Sequence, residues 1–131
     1  MNHSKICLLI DDDQDDQEIF ILALSNSGQK VSCQTFSNAL SGLRQLDNNP
    51  AQAPDYIFLD LNMPGMNGKQ CLAEIKSRSF LKDVPVIIYS TSSRPQDITE
   101  TTQLGAAAFI TKPSSVRSLT KILSDFFQTH A

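Results

Sequence analysis

Cysteine pairs of the kind that hold zinc or exchange disulfides are missing. Cys7, Cys33 and Cys71 are odd in number and none stands in a C-x-x-C spacing, so they read as reduced core thiols. Clustered positive charge is also missing. Eleven Lys and Arg residues are scattered against fourteen acids, the net charge is −3 and the pI is near 5.2. That balance excludes nucleic acid and anionic membrane as natural partners and leaves protein or a small ligand. No apolar run approaches the length of a membrane helix, about 20 residues. The N-terminus carries one lysine and a short apolar run ending in acids, which fits neither a signal peptide nor an anchor, so cytoplasmic residence is the default expectation. No repeat, low-complexity tract or linker interrupts the chain. At 131 residues it is expected to form one domain over 1–131, with a core over about 4–128 and no second module. A domain of this size buries about two thirds of its unfolded surface.

What is present is alternation. Five short apolar, β-branched runs fall at 5–10, 31–36, 56–60, 86–90 and 107–111. Between them lie segments of helical spacing, expected at 15–27, at 38–47 with Ser37 as N-cap, at 68–78, and at 96–104 with Gly105 as a left-handed stop. The last helix carries the stripe Val116, Leu119, Ile122, Leu123, Phe126 and ends near residue 128. Strict alternation predicts a (βα)5 parallel sheet covered on both faces through right-handed crossovers. Strands one, three and four, apolar throughout, agree with burial on both sides.

In an open parallel sheet ligands bind beyond the carboxyl ends of the strands. Asp60 closes the third run and enters Leu61-Asn62-Met63-Pro64-Gly65-Met66-Asn67-Gly68, too rich in Pro and Gly to stay extended, while the first run passes directly into Asp11-Asp12-Asp13. Unpaired carboxylates about 4 Å apart repel by roughly 4 kcal/mol per pair at an effective dielectric of 20. Such a pocket calls for a cation, and an all-oxygen donor set with room for water suits Mg²⁺. Ser90 and Thr91 end the fourth run and Lys112 the fifth. A carboxylate nucleophile, a metal, a hydroxyl and an ammonium on one rim suit phosphoryl transfer to a carboxylate. Each also has a plainer explanation: an Asp after a strand often caps the next helix. Asp13, Asp15 and Asp16 are better explained that way, as acids complementing a helix dipole. Four strand ends each supplying the needed type shift the weight toward a site. Pro113 leaves both a cis and a trans bond after Lys112 open.

The residues Leu9-Ile10-Asp11-Asp12, Phe58 through Gly68, Pro85 through Ser90 and Lys112-Pro113 closely resemble the receiver domain of two-component response regulators, over nearly the whole chain. The resemblance implies a flavodoxin-like doubly wound sheet of order 2-1-3-4-5. It implies that Asp60 accepts a phosphoryl group from a phosphohistidine on a sensor histidine kinase or histidine phosphotransfer protein. Asp12 and Asp11 would hold Mg²⁺, with Asp60 and the backbone carbonyl of Asn62. Ser90 and Lys112 would close on the phosphoryl group, and Phe109 would be the switch aromatic. The output surface would be helix four, strand five and helix five, binding an unknown effector protein and able to pair with a second copy. Helix one would be the kinase-docking face. By the same resemblance the chain is a phosphoprotein signalling module, not an enzyme beyond self-phosphorylation and slow autodephosphorylation.

Three positions depart from the family pattern. Thr91 stands where Ala or Gly is frequent, Ser114 where Phe is common, and Asp13, Asp15 and Asp16 make the first loop unusually acidic. Two other functions fit parts of the sequence. A small Mg²⁺-dependent phosphohydrolase would use Asp11 as nucleophile and Asp13 as acid/base, but leaves the Asp60 loop without a role. A receiver-like module that is never phosphorylated would bind protein constitutively, but does not need the full set of Asp12, Asp60 and Lys112.

Overall fold

The structure, a computed structural model, describes residues 4–130. Strands β1 (Lys5–Ile10), β2 (Val31–Phe36), β3 (Tyr56–Leu59), β4 (Val86–Ser90) and β5 (Ala108–Thr111) are parallel, in the order β2-β1-β3-β4-β5. Helices α1 (Gln14–Asn26), α2 (Ala39–Asn48), α3 (Gly68–Lys76), α4 (Pro95–Gln103) and α5 (Val116–Thr129) alternate with them. This is the doubly wound (βα)5 sheet expected from the alternation. Strand order reverses between β1 and β3, which opens the crevice where such folds bind ligands.

Period-two alternation divides the strand residues between two apolar layers. Leu8, Ile10, Ile57, Leu59, Val86 and Ile88 pack with Leu43 and Leu46 of α2 and Leu72 and Ile75 of α3. Cys7, Leu9, Tyr56, Phe58, Ile87 and Tyr89 pack with Phe20 and Leu24 of α1 and Leu119, Leu123 and Phe127 of α5. The α5 stripe is as expected except that Val116 and Ile122 are half-buried and Phe127 joins the core. The Tyr56 hydroxyl donates to the His130 carbonyl at 2.6 Å, tying the end of α5 to the start of β3.

Cys7 and Cys71 are buried free thiols, and burial pushes Cys71 up to about 12, which makes it inert. Cys33 departs from the core reading. It pairs in register with Cys7, but on the edge strand β2, where it is only half-buried. An edge strand has a neighbour on one side alone.

Several boundaries move for identifiable reasons. Asn38, not Ser37, caps α2: its Oδ1 accepts from the Ser41 N–H at 2.8 Å, whereas the Ser37 hydroxyl accepts from Gln17 Nε2. Helix α4 begins at Pro95, whose fixed φ and missing N–H suit a first helical position. Helix α3 starts in a capping box between Asn67 and Gln70 and stops at Lys76, short of the expected 78. Strands β3 and β5 are each one residue shorter than expected, yet the Asp60 N–H still donates to Ile10 O at 3.0 Å and the Ala107 N–H to Val86 O at 2.8 Å. Gly105 has φ +104°, the left-handed stop expected after α4. No peptide bond among the described residues is cis, so Lys112 precedes Pro113 through a trans bond.

Candidate functional site

Ladder hydrogen bonds bring the first and third strand ends together. The Asp11 N–H donates to Phe36 O at 2.9 Å and the Asp60 N–H to Ile10 O at 3.0 Å, so both residues leave the sheet on the same rim. Asp11 is wholly buried and Asp60 nearly so, while Asp12 beside them is exposed. One carboxylate oxygen from each of Asp11, Asp12 and Asp60 lies within 4.8 Å of the others. The Asp11 Oδ1 accepts from the Asp13 N–H at 3.0 Å and the Asp60 Oδ1 from the Asn62 N–H at 3.3 Å. Among the described residues nothing donates a hydrogen bond to Asp11 Oδ2, which is buried. Lys112 Nζ lies 2.8 Å from it, but off the angle of a hydrogen bond, so that oxygen is held by charge alone. Three hard oxygen donors, one of them buried without a hydrogen-bond donor, fit Mg²⁺ or Mn²⁺.

The ammonium of Lys112 comes from the opposite side of the crevice, where the Lys112 backbone N–H donates to Ser90 O at 2.7 Å. Its Nζ lies 2.7 Å from Asp16 Oδ2 and 3.4 Å from Asp60 Oδ2 as well, and 5.3 Å from the centre of the Tyr89 ring. Burial alone would lower its pKa. The ion pairs with Asp11 and Asp16 and the charge of Asp60 overcome that and hold it above the usual lysine range. Burial raises Asp11 to about 6, although Lys112 and the Asp13 N–H pull it down.

A dependence of stability on pH follows. Asp11 titrates higher in the folded chain than in the unfolded one, where a carboxyl ionises near 3.9. The folded state therefore binds the extra proton between about pH 4 and pH 6, and stability rises as pH falls through that window. Asp97 acts oppositely. Arg94, Lys69 and Ser92 hold its carboxyl well below the usual range, so its contribution is present above pH ~4 and is lost on further acidification. The metal-free protein is expected to melt highest near pH 4 to 5 in a calorimetric series, and Asp11→Asn is expected to remove the rise between 6 and 4. A wild-type Tm that falls steadily from pH 7 would contradict this.

Sequence reasoning placed Asp11, Asp12, Asp60, Ser90 and Lys112 on one rim, and they lie there. Ser90 is buried, and its Oγ accepts from the Ser92 N–H at 3.3 Å without a hydrogen bond to any of the acids. Asn62 is exposed at the start of the loop after Asp60. Phe109 is not at the acids: half-buried, it packs on the layer containing α2 and α3, in register with Ile88. Asp13 serves as the N-cap of α1, accepting from the N–H groups of Asp15 and Asp16. Asp16 was missed as a site residue. Its signal was helical spacing: it stands four residues before Phe20, which is fully buried, so it lies on the inward face of α1. Beside the crevice, Asp97 of α4 is nearly buried among Lys69 of α3, Ser92 and Arg94, linking the first turns of two helices that follow site loops.

Residues 7–124 match the response regulator receiver domain, and the chain belongs to that family. Receiver domains are signalling modules of two-component systems rather than enzymes. They take phosphoryl groups from sensor kinases and bind Mg²⁺ or Mn²⁺ in an acidic pocket. The chain is similar to response regulator Rcp1 of Synechocystis sp., with 29% identity over 128 residues that cover 93% of this chain and 86% of that protein. It is 32% identical over 120 residues to the two-component response regulator ORR1 of Oryza sativa subsp. japonica, covering 88% of this chain but only 52% of that protein. Among solved structures it resembles the phosphorylated cyanobacterial phytochrome response regulator RcpA, with TM-score 0.86, 32% identity and coverage of 96% and 93% of the two chains. It also resembles the Mn²⁺-bound form of Rcp1, with TM-score 0.81, 27% identity and coverage of 93% and 91%. Among the described residues no helix is long and apolar enough to cross a membrane.

Proposed function

We propose that this chain is the phosphoacceptor of a two-component or phosphorelay system and that Asp60 carries the phosphoryl group. The observation that supports this best is the shared ammonium: Asp60, 4% exposed, lies with Asp11 around Lys112, and Asp12 brings a carboxylate oxygen within 4.8 Å of theirs. A carboxylate oxygen of Asp60 attacks the phosphorus of a phosphohistidine on a sensor kinase or phosphotransfer protein. The P–N bond breaks, its electron pair leaves with the imidazole, and an aspartyl phosphate remains. Asp11, Asp12, Asp60 and the backbone carbonyl of Asn62 would hold Mg²⁺, which neutralises phosphoryl charge when bound. Lys112 supplies the fixed positive charge on the other side. Slow attack by water on the same phosphorus returns the free carboxylate.

Phosphorylation adds charge and acceptor oxygens, which draw Ser90 Oγ away from the Ser92 N–H. The space left by Ser90 lets Phe109 turn inward, and the face of α4, β5 and α5 changes for an effector protein or a second copy. Exposed Ile19, Ile21 and Leu22 on α1 suit docking of the phosphoryl donor. Action in the cytoplasm, facing such a donor, belongs to the same reading. The hydrolase alternative is disfavoured because the Asp13 carboxylate already caps α1.

Incubation with Mg²⁺ and acetyl phosphate followed by intact-mass spectrometry is expected to show one phosphoryl adduct on the wild type and none on Asp60→Asn. An adduct that persists in the variant would overturn the assignment to Asp60. No adduct on either would favour a module that is never phosphorylated.

A further inference from the structure

We infer that Asp16 is a positioning residue for Lys112: it gives the ammonium a partner outside the metal ligands, so that a dication can enter and the lysine can later swing to the phosphoryl group. Three acids from three elements surround Lys112 Nζ, namely Asp11 after β1, Asp60 after β3 and Asp16 in the first turn of α1. The shortest of these contacts, 2.7 Å, is to Asp16, which belongs to neither pair of strand ends. Two of the three partners, Asp11 and Asp60, stand in the group able to hold a cation, and Asp16 does not. A dication entering that group competes with the ammonium for both. The lysine side chain is 8% exposed, and an ammonium so nearly buried cannot be left without a counter-charge. Asp16, more exposed at 28%, keeps it paired when Asp11 and Asp60 turn to the metal.

Helix capping does not account for this contact. Asp13 already caps α1, and Asp15 in the same first turn complements the helix dipole from an exposed position. Asp15 therefore serves as a control. Asp15→Asn removes the same charge from the same turn without touching Lys112.

Mg²⁺ titration by calorimetry is expected to show binding weakened about fivefold or more in Asp16→Asn and less than about twofold in Asp15→Asn. In a Lys112→Met background, Asp16→Asn is expected to weaken Mg²⁺ no more than Asp15→Asn does, because the ammonium it positions is gone. At saturating Mg²⁺ the aspartyl phosphate of Asp16→Asn is expected to last about threefold longer than wild type, since Lys112 no longer divides itself between Asp16 and the phosphoryl oxygens. Equal Mg²⁺ affinities in the two single variants, or an undiminished Asp16 effect without the lysine, would overturn the inference. The phosphoryl readout rests on the function proposed above and the metal readout does not. A wild type that takes no phosphoryl group would defeat that function while the Mg²⁺ comparison still judged Asp16.

Discussion

Gly68→Ala is expected to destabilise the protein by about 2 to 3 kcal/mol and to cut phosphoryl uptake at the same time. A Cβ at Gly68 would press against the Asp60 carbonyl oxygen and lie 2.5 Å from Leu61 Cα. Both are backbone atoms of the two residues that follow β3, so no side-chain rotation relieves the clash. The Gly68 N–H donates to Leu61 O at 3.0 Å, and the loop from Asp60 to α3 is thereby closed over the acids. Making room for the methyl group must move the backbone that aims the Asp60 carboxylate. Gly42→Ala is the contrast. Its Cβ would lie 2.6 Å from Ile10 Cδ1 and 2.9 Å from Ile10 Cγ1, side-chain atoms rather than backbone, and is expected to cost about 1 kcal/mol with a smaller effect on the site than Gly68→Ala. Urea denaturation of both variants, beside acetyl phosphate labelling, separates them. Wild-type stability and labelling in Gly68→Ala would show that the close approach is not a constraint.

The second large effect belongs to Lys112. Replacing it by Met keeps the apolar stem but removes the positive charge from between Asp11, Asp16 and Asp60. Removing one partner from a buried ionic cluster typically costs about 3 to 5 kcal/mol, because the remaining charges lose their compensation. The metal-free variant is expected to melt well below wild type. Mg²⁺ then no longer competes with an ammonium, so it is expected to bind more tightly and to raise Tm by more than it does in wild type. A ligand at 100 times its Kd adds about 2.7 kcal/mol to the folded state. Thermal melts with and without Mg²⁺ check both halves. An unchanged metal-free Tm would mean that the acids are already solvated enough to stand alone. Unchanged Mg²⁺ affinity would mean that the ammonium does not compete for the metal ligands.

These two residues also show what the sequence could and could not reveal. Strand ends were legible because apolar runs stop sharply at acids, as at Ile10 and Asp11 or Leu59 and Asp60, and because the segment after Asp60 is too rich in Pro and Gly to continue a strand. Alternation then gave a parallel sheet covered on both faces, whereas the strand order came only with the resemblance to receiver domains, because alternation alone does not say where the order reverses. Asp16 was not legible in the same way. Its partner Lys112 is 96 residues distant, and a helix-dipole role explained an acid in that turn equally well. Cys33 misled because a β-branched run does not announce that it lies at a sheet edge. The cap of α2 shifted by one residue because Ser37 and Asn38 are both good capping residues and only the backbone chooses between them. Phe109 shows the same limit: its ring shares the layer of Ile88 because the two are in register, and that register is set by the sheet rather than by the local sequence.

The central claim is that one particular carboxylate, Asp60, becomes an acyl phosphate. Borohydride reduces an acyl phosphate of aspartate to the alcohol homoserine and leaves free carboxylates alone. The most direct measurement is therefore to treat the protein with Mg²⁺ and acetyl phosphate, reduce it with borohydride, digest it and sequence the peptides by tandem mass spectrometry. Homoserine at position 60 and at no other acid is the expected result. Homoserine at Asp11, Asp12 or Asp13 with Asp60 intact would contradict the account.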